Sequence, residues 1–109
     1  MGAPVRQFDY RAMEASAGKA CGLLKALANE ARLMVMCQLI EGEKSVSELQ
    51  EAIGLSQSAM SQHLAVLRQH DIVDTRRNGQ SVLYRIANAD ATALMETLHR
   101  QFCENPDAG

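Results

Sequence analysis

Residues 45–68 predict two short helices separated by a tight turn, and no other stretch of the chain constrains the fold as strongly. Ser45 followed by Glu48 is a capping-box pattern, in which each side chain accepts a hydrogen bond from a free backbone N–H at the start of a helix. We therefore expect a helix to begin near Ser47. Gly54 supplies the left-handed conformation that ends this helix, and Ser56 caps the next one. The segment predicts a helix-turn-helix.

The second helix of this pair separates into an apolar face and a polar face. The polar face carries no acidic residue, whereas an ordinary solvated helix usually mixes Glu with Lys. Small hydroxyls and amides approach base edges and phosphates closely, and a carboxylate there would repel the DNA backbone. We therefore predict that this helix reads DNA, through Gln57, Ser58, Ser61, Gln62 and Arg68 and through the neighbouring His63.

Two strands are predicted after the second helix, at residues 72–75 and 81–86, joined across an Asn-Gly dipeptide that suits a tight hairpin turn. Alternation in the second strand assigns one set of side chains to the core, namely Val82, Tyr84 and Ile86. A two-stranded ribbon beside a recognition helix is a wing. Arg76 and Arg77 at its tip are predicted to reach a minor groove or phosphates, and a tip that is merely solvated is the alternative.

Three further helices are predicted from apolar periodicity. The first spans residues 11–28, although Gly18 and Gly22 weaken the prediction of one unbroken helix. Its apolar stripe, formed by Met13, Ala17, Leu24 and Leu27, requires cover from the protein's own core or from a second subunit. The second spans residues 31–40 behind an Asn29 cap and is nearly continuously apolar, which predicts a central buried helix. The last runs to about Cys103, with an apolar side of Leu94, Met95, Leu98 and Phe102.

Length and composition favour one mainly α domain with a small β-hairpin. We predict an N-terminal arm at residues 1–10, the domain at 11–104 and a tail at 105–109. The formal charge of -2 argues against indiscriminate nucleic-acid binding, but residues 56–87 hold an excess of arginine over acid. No signal peptide or membrane-spanning run is visible, so we expect a cytoplasmic protein without a membrane partner. Three cysteines do not make a disulfide framework.

Three segments taken together resemble the ArsR family of winged-helix repressors: LKALANEARLMVMCQL, SVSELQEAIGLSQSAMSQHLAVLRQHDIV and the RRNGQSVLYRI hairpin. The resemblance covers about residues 23–103. It implies a winged helix-turn-helix homodimer, joined through its N- and C-terminal helices, that binds an inverted-repeat operator in double-stranded DNA and releases it when an inducer is sensed. A dimer also agrees with geometry, because two recognition helices must enter successive major grooves about 34 Å apart.

Members of the family differ mainly in what they sense. Arsenic sensors carry cysteines at the start of the first helix of the motif, where this chain has Ser45, Ser47 and Gln50, none of which is a soft thiolate ligand. Zinc and cobalt sensors carry an Asp-x-His and a later His pair or His-Glu pair on the last helix. The positions here hold Asp90, Thr92, His99 and Phe102, so that set is incomplete and no metal cofactor is predicted.

Cys37 and Cys103 sit where the persulfide-responsive and redox-responsive members carry their thiols. The resemblance implies that a disulfide or polysulfide between them, formed by reactive sulfur species or an oxidant, weakens operator binding. Such a sensor needs an accessible thiol of lowered pKa, and His99 and Arg100 lie within one turn of Cys103. Spacing alone favours Cys37 as a packing residue. Cys21 has no counterpart in this comparison.

Three alternatives remain open from sequence. A metal-sensing repressor would use Cys37 and Cys103, with His99 as a further ligand. A small thiol enzyme would need a nucleophile loop or a Cys-x-x-Cys, and neither is visible, so we predict that the protein is not an enzyme. An interaction module that has lost DNA binding is disfavoured by the acid-free helix face.

Overall fold

The computed structural model describes residues 7–104, which form five helices and a three-stranded sheet. In chain order the elements are α1 (Tyr10–Leu27), α2 (Glu30–Ile40), β1 (Lys44–Ser45), α3 (Val46–Ile53), α4 (Gln57–Gln69), β2 (Val73–Asn78), β3 (Ser81–Ile86) and α5 (Ala89–Phe102). This confirms the predicted mainly α winged helix-turn-helix. Most of the predicted arm, residues 1–6, and the predicted tail, 105–109, lie outside the described residues.

Side-chain caps begin the helices where the sequence indicated. Ser45 Oγ accepts from the backbone N–H of Glu48 over 3.2 Å, and Glu48 Oε1 accepts from the backbone N–H of Ser45 over 2.8 Å, so the capping box at α3 is confirmed. Ser56 caps α4 in the same way. Gly54 has φ 85°, a left-handed conformation that a side chain would strain, and it ends α3. These local signals fix both ends of the turn between α3 and α4.

Helix α1 is unbroken over its 18 residues despite its two glycines. Its predicted apolar stripe is covered only at the C-terminal end, where Ala26 and Leu27 are buried. Met13 is 59% exposed and Leu24 is 52% exposed. Most of the stripe therefore has no cover within the described part of one subunit.

The sheet has the order β1-β3-β2, with both neighbouring pairs antiparallel. Strand β1 was not predicted, because two residues give no readable alternation. The hairpin pairs Val73 with Ile86 at its base and Asn78 with Ser81 at its tip, so β2 extends beyond the predicted 72–75. The prediction that Val82 faces the core is wrong: it pairs with Arg77 near the tip, beyond the reach of the core, and is 37% exposed.

The core lies between α2, the helix-turn-helix, the base of the hairpin and α5. Its fully buried large side chains are Val35, Met36, Leu49, Met60, Leu64, Leu67, Ile72 and Val73. Helix α2 was predicted to be the central buried helix, and it buries Val35, Met36 and Leu39, but Met34 and Ile40 on its other side are 49% and 45% exposed. Helix α5 buries Ala91 and Met95 and leaves Phe102 66% exposed. No helix within residues 7–104 is long and apolar enough to cross a membrane.

Candidate DNA-binding surface and thiol site

Helix α4 packs one side against the core and exposes the other to solvent. Met60, Leu64 and Leu67 are buried at helical spacing, which fixes the rotation of the helix about its axis. The solvent-facing side carries exposed polar residues: Gln57, Ser58, Ser61, Gln62 and Arg68. The structure therefore brings five of the six residues predicted on this helix onto one solvent-facing surface, without a carboxylate among them.

His63 differs from the other five. It lies three residues after Met60 and four before Leu67, on the edge of the helix that faces the protein interior, and it is half-buried. Its Nδ1 lies 3.3 Å from Nη1 of Arg32 on α2. The side chain predicted to contact DNA is therefore engaged with the protein itself.

The wing carries two cross-element ion pairs. Nε of Arg76 donates to both carboxylate oxygens of Glu43, and Nε of Arg85 donates to Asp74 over 2.7 Å. The hydrogen bond from Arg76 holds the pKa of Glu43 below its usual range. Arg77 is exposed and has no ion-pair partner within residues 7–104. Of the two predicted wing contacts, Arg77 is thus the cation left available to a phosphate.

Cys37 and Cys103 come from two helices that pack against each other, α2 and α5. Cys37 is on α2, Cys103 ends α5, and both are solvent-exposed. Surrounding protein atoms partly desolvate Cys37 and raise its pKa, and the charge of Cys103 raises it further. Cys37 is therefore not the thiol of lowered pKa that such a sensor needs.

A groove of about 600 Å³ opens beside Cys37 between α2 and α5. Its lining includes Ile40, Met95, His99 and Arg100. Nδ1 of His99 lies 2.9 Å from Oε2 of Glu104, and Arg100 donates to Thr97 over 3.4 Å. The two basic side chains proposed to assist Cys103 therefore have other polar partners. The groove gives a small reagent access to Cys37.

Two residues with structural roles were missed from sequence. Arg32 joins three helices, and Glu43 binds the wing arginine. An arginine within the otherwise apolar run ARLMVM was the available signal for the first. For Glu43 no sequence signal existed, because its partner is distant in the chain. Within residues 7–104 no group of three or more His, Cys, Asp or Glu side chains is arranged to hold a metal ion.

Comparison with known proteins agrees with this geometry. Residues 29–75, from the cap of α2 to the middle of β2, match the family model described as bacterial regulatory protein, arsR family. The chain is 46% identical over 103 residues to the transcriptional activator HlyU of Vibrio cholerae, covering 94% of this chain and 93% of that protein.

Solved structures give the same result. The crystal structure of the transcriptional repressor BigR from Xylella fastidiosa matches with a TM-score of 0.83 and 44% identity, over 88% of this chain and 98% of that one. A homodimeric winged helix-turn-helix DNA-binding domain from Mycobacterium bovis matches with a TM-score of 0.77 and 29% identity, over 97% and 96% of the two chains. The chain therefore belongs to the ArsR family of DNA-binding transcriptional regulators.

Proposed function

We propose that this protein is a homodimeric repressor that releases its operator when Cys37 and Cys103 are bridged by reactive sulfur species or an oxidant. The observation that carries the proposal is that two solvent-exposed thiols lie on helices that pack against each other, and that the groove beside Cys37 is also lined by Arg100 and Glu104, on either side of Cys103 in the sequence. Helix α2 packs against α4, the proposed recognition helix, so a bridge at Cys37 would alter a helix that contacts the DNA-binding helix directly.

The DNA contacts proposed are the exposed polar residues of α4 and the wing cation. Ser58, Ser61 and Gln62 are short enough for base edges in a major groove, and Arg68 and Arg77 suit phosphates. BigR is named a repressor and HlyU an activator, so the family supports both directions of control. We favour repression because release of DNA on thiol bridging needs no further partner.

Dimerisation is supported by apolar surface on the two terminal helices. Tyr10 is 74% exposed and Met13 is 59% exposed on α1, and Phe102 is 66% exposed on α5. Several large apolar side chains are thus left exposed on the two helices that the family resemblance assigns to the dimer interface. The Mycobacterium bovis relative is homodimeric. A second copy would also supply the second recognition helix that an inverted repeat requires.

The bridging chemistry balances with a low-molecular-weight persulfide, RSSH. The thiolate of Cys103 attacks the outer sulfur, the S–S bond of the donor breaks, and RSH leaves with a proton. The thiolate of Cys37 then attacks the inner sulfur of the protein persulfide, and hydrogen sulfide leaves as the disulfide forms. With hydrogen peroxide, the two thiols lose two hydrogen atoms and two waters leave. The same balance holds when Cys37 is the first nucleophile and Cys103 the second.

The proposal is tested by intact-mass spectrometry and fluorescence anisotropy on the same samples. The DNA probe is a duplex that the reduced protein selects from a randomised library. Treatment with peroxide should remove two hydrogen atoms, and treatment with a persulfide should remove two hydrogen atoms and add no sulfur for a disulfide or whole sulfur atoms for a polysulfide. Both treatments should link the Cys37 and Cys103 peptides and weaken binding. The Cys37→Ser and Cys103→Ser variants should bind DNA and ignore the treatment, and Cys21→Ser should respond like the wild type. A treated wild type without an intramolecular bridge would overturn the proposal.

A further inference from the structure

Arg32 of α2 contacts both the end of α1 and the recognition helix α4. It is the third residue of α2, and its backbone N–H donates to the Asn29 cap over 3.1 Å, so its own position is fixed by the start of the helix. Its guanidinium then reaches away from α2 in two directions. Nε donates to the carbonyl oxygen of Ala26 over 2.6 Å, and Nη1 lies 3.3 Å from Nδ1 of His63.

The contact with Ala26 satisfies the end of α1. Ala26 is buried in the last turn of that helix, where carbonyl oxygens have no N–H partner within the helix. A buried carbonyl without a partner is costly, and a donor that carries a charge is a strong one. This bond therefore holds the Arg32 side chain in a defined place between α1 and α4.

The contact with His63 links α2 to α4. Arginine has only donors, so Nδ1 of His63 is the acceptor when this hydrogen bond is made. His63 is on the inner edge of α4, beside the buried Met60 and Leu67. Arg32 therefore contacts the recognition helix on its inner edge, away from the exposed Ser61 and Gln62.

We propose that Arg32 and His63 are positioning residues, which hold α4 in the orientation that presents its polar surface to DNA, and that His63 contributes to DNA binding through Arg32 and not by touching DNA. The same pair links α2 to α4, so a movement of α2 would be transmitted to α4. Cys37 lies five residues beyond Arg32 on α2, about 7.5 Å along the helix axis. Movement of α2 would thus alter the Arg32–His63 contact, a second step that rests on the function proposed above.

The test uses two substitutions at one position in the full-length, reduced protein. His63→Leu removes the acceptor and keeps a side chain of similar bulk, whereas His63→Asn places an amide oxygen near the former site of Nδ1. Affinity is measured by anisotropy on the selected duplex. His63→Leu should weaken binding about tenfold, the loss expected for a hydrogen bond to a charged group, and His63→Asn should recover most of it. Equal losses in the two variants would overturn the proposal.

A double-mutant cycle with Arg32→Gln separates positioning from direct DNA contact. If His63 acts through Arg32, His63→Leu should cost little more in the Arg32→Gln background, so the two losses are strongly non-additive. Additive losses would show that His63 contacts DNA itself and would contradict the proposal. Circular dichroism and thermal unfolding verify that each variant is folded. Should His63→Leu not fold, the cycle is run with His63→Gln, whose amide oxygen lies near the site of Nε2 and cannot replace Nδ1.

Hydrogen exchange of α4 amides tests whether Arg32 and His63 transmit a movement of α2 to α4. Bridging of the wild type should raise exchange in α4, and bridging of His63→Leu should raise it less, because the link from α2 is already absent. If the bridged wild type keeps its DNA affinity, the thiol-gating function fails while the positioning role stands on the reduced-protein data. If the wild type loses affinity on bridging and α4 exchange responds equally in both proteins, transmission through Arg32 and His63 is contradicted and thiol gating stands.

Discussion

Nε of Arg76 donates to both carboxylate oxygens of Glu43, over 2.9 and 2.7 Å, and so joins the wing to the residue that precedes β1. This bond holds the pKa of Glu43 below its usual range. A carboxyl whose pKa is lowered by folding stabilises the protein at neutral pH, and that contribution disappears as the pH falls through the lowered value. The side chains of Arg76 and Glu43 are 47% and 27% exposed, so solvent screens the pair and its contribution is small.

We predict that the Glu43 carboxyl titrates below the usual glutamate pKa of about 4.3. Carbon-detected NMR titration of the side-chain carboxyl measures this directly. Arg76→Gln removes the donor, and the Glu43 midpoint should then move upward. A Glu43 midpoint that is the same in both proteins would show that the ion pair does not persist in solution.

Ser45→Ala should destabilise the protein by about 1 kcal/mol, because the substitution leaves the Glu48 N–H without its acceptor at the start of α3. Urea unfolding followed by circular dichroism gives this difference. Ser47→Ala is the matched control, since Ser47 is exposed and makes no capping contact in the described structure. A loss in Ser47→Ala as large as in Ser45→Ala would contradict the capping role.

Local signals were readable from sequence, and long-range ones were not. The Ser45 box and the Gly54 stop involve neighbours in the chain, so residue types at fixed offsets were sufficient. The rotation of His63 toward Arg32 depends on how α2 crosses α4, which no offset encodes. Exposure of Met34 and Ile40 was missed for another reason. An apolar run reads as buried whether its cover comes from the same subunit or from a second copy.

Replacement of Ser61 and Gln62 together by Ala should reduce specific affinity by about a hundredfold or more, because base-edge hydrogen bonds supply discrimination. Both side chains are exposed on α4, so the fold should be unaffected. Anisotropy with the selected duplex and with an unrelated duplex separates specific from non-specific binding. Gln69→Ala, at the C-terminal end of the same helix, should bind like the wild type. Unchanged specific affinity in the double variant would refute the assigned recognition surface.

Met13→Lys should weaken dimerisation at least about tenfold, since it places a charge on the apolar surface of α1 that a second copy would cover. Sedimentation velocity over a concentration series measures the dissociation constant. Glu14→Lys makes a like change at the next, already polar position of the same helix and should leave the dimer intact. Equal dissociation constants for Met13→Lys and the wild type would place the interface elsewhere.

Alkylation of Cys37 should keep accelerating with pH above the usual thiol pKa of about 8.5. Only the thiolate reacts, and the thiolate fraction rises with pH through the raised pKa of this group. Iodoacetamide is suitable because it is uncharged and its rate reports the thiolate alone. Rates are read by peptide mass spectrometry in a Cys21→Ser background, with a short peptide of residues 34–40 as the unfolded reference thiol.

Cys103→Ser separates the two causes of the raised Cys37 pKa. The substitution removes the charge of Cys103, so the midpoint of Cys37 alkylation should fall. It should stay above that of the peptide, because partial burial of Cys37 is the larger cause and is unchanged. A midpoint that does not respond to Cys103→Ser would mean that the two thiols do not interact in solution. That result would contradict thiol gating by Cys37 and Cys103.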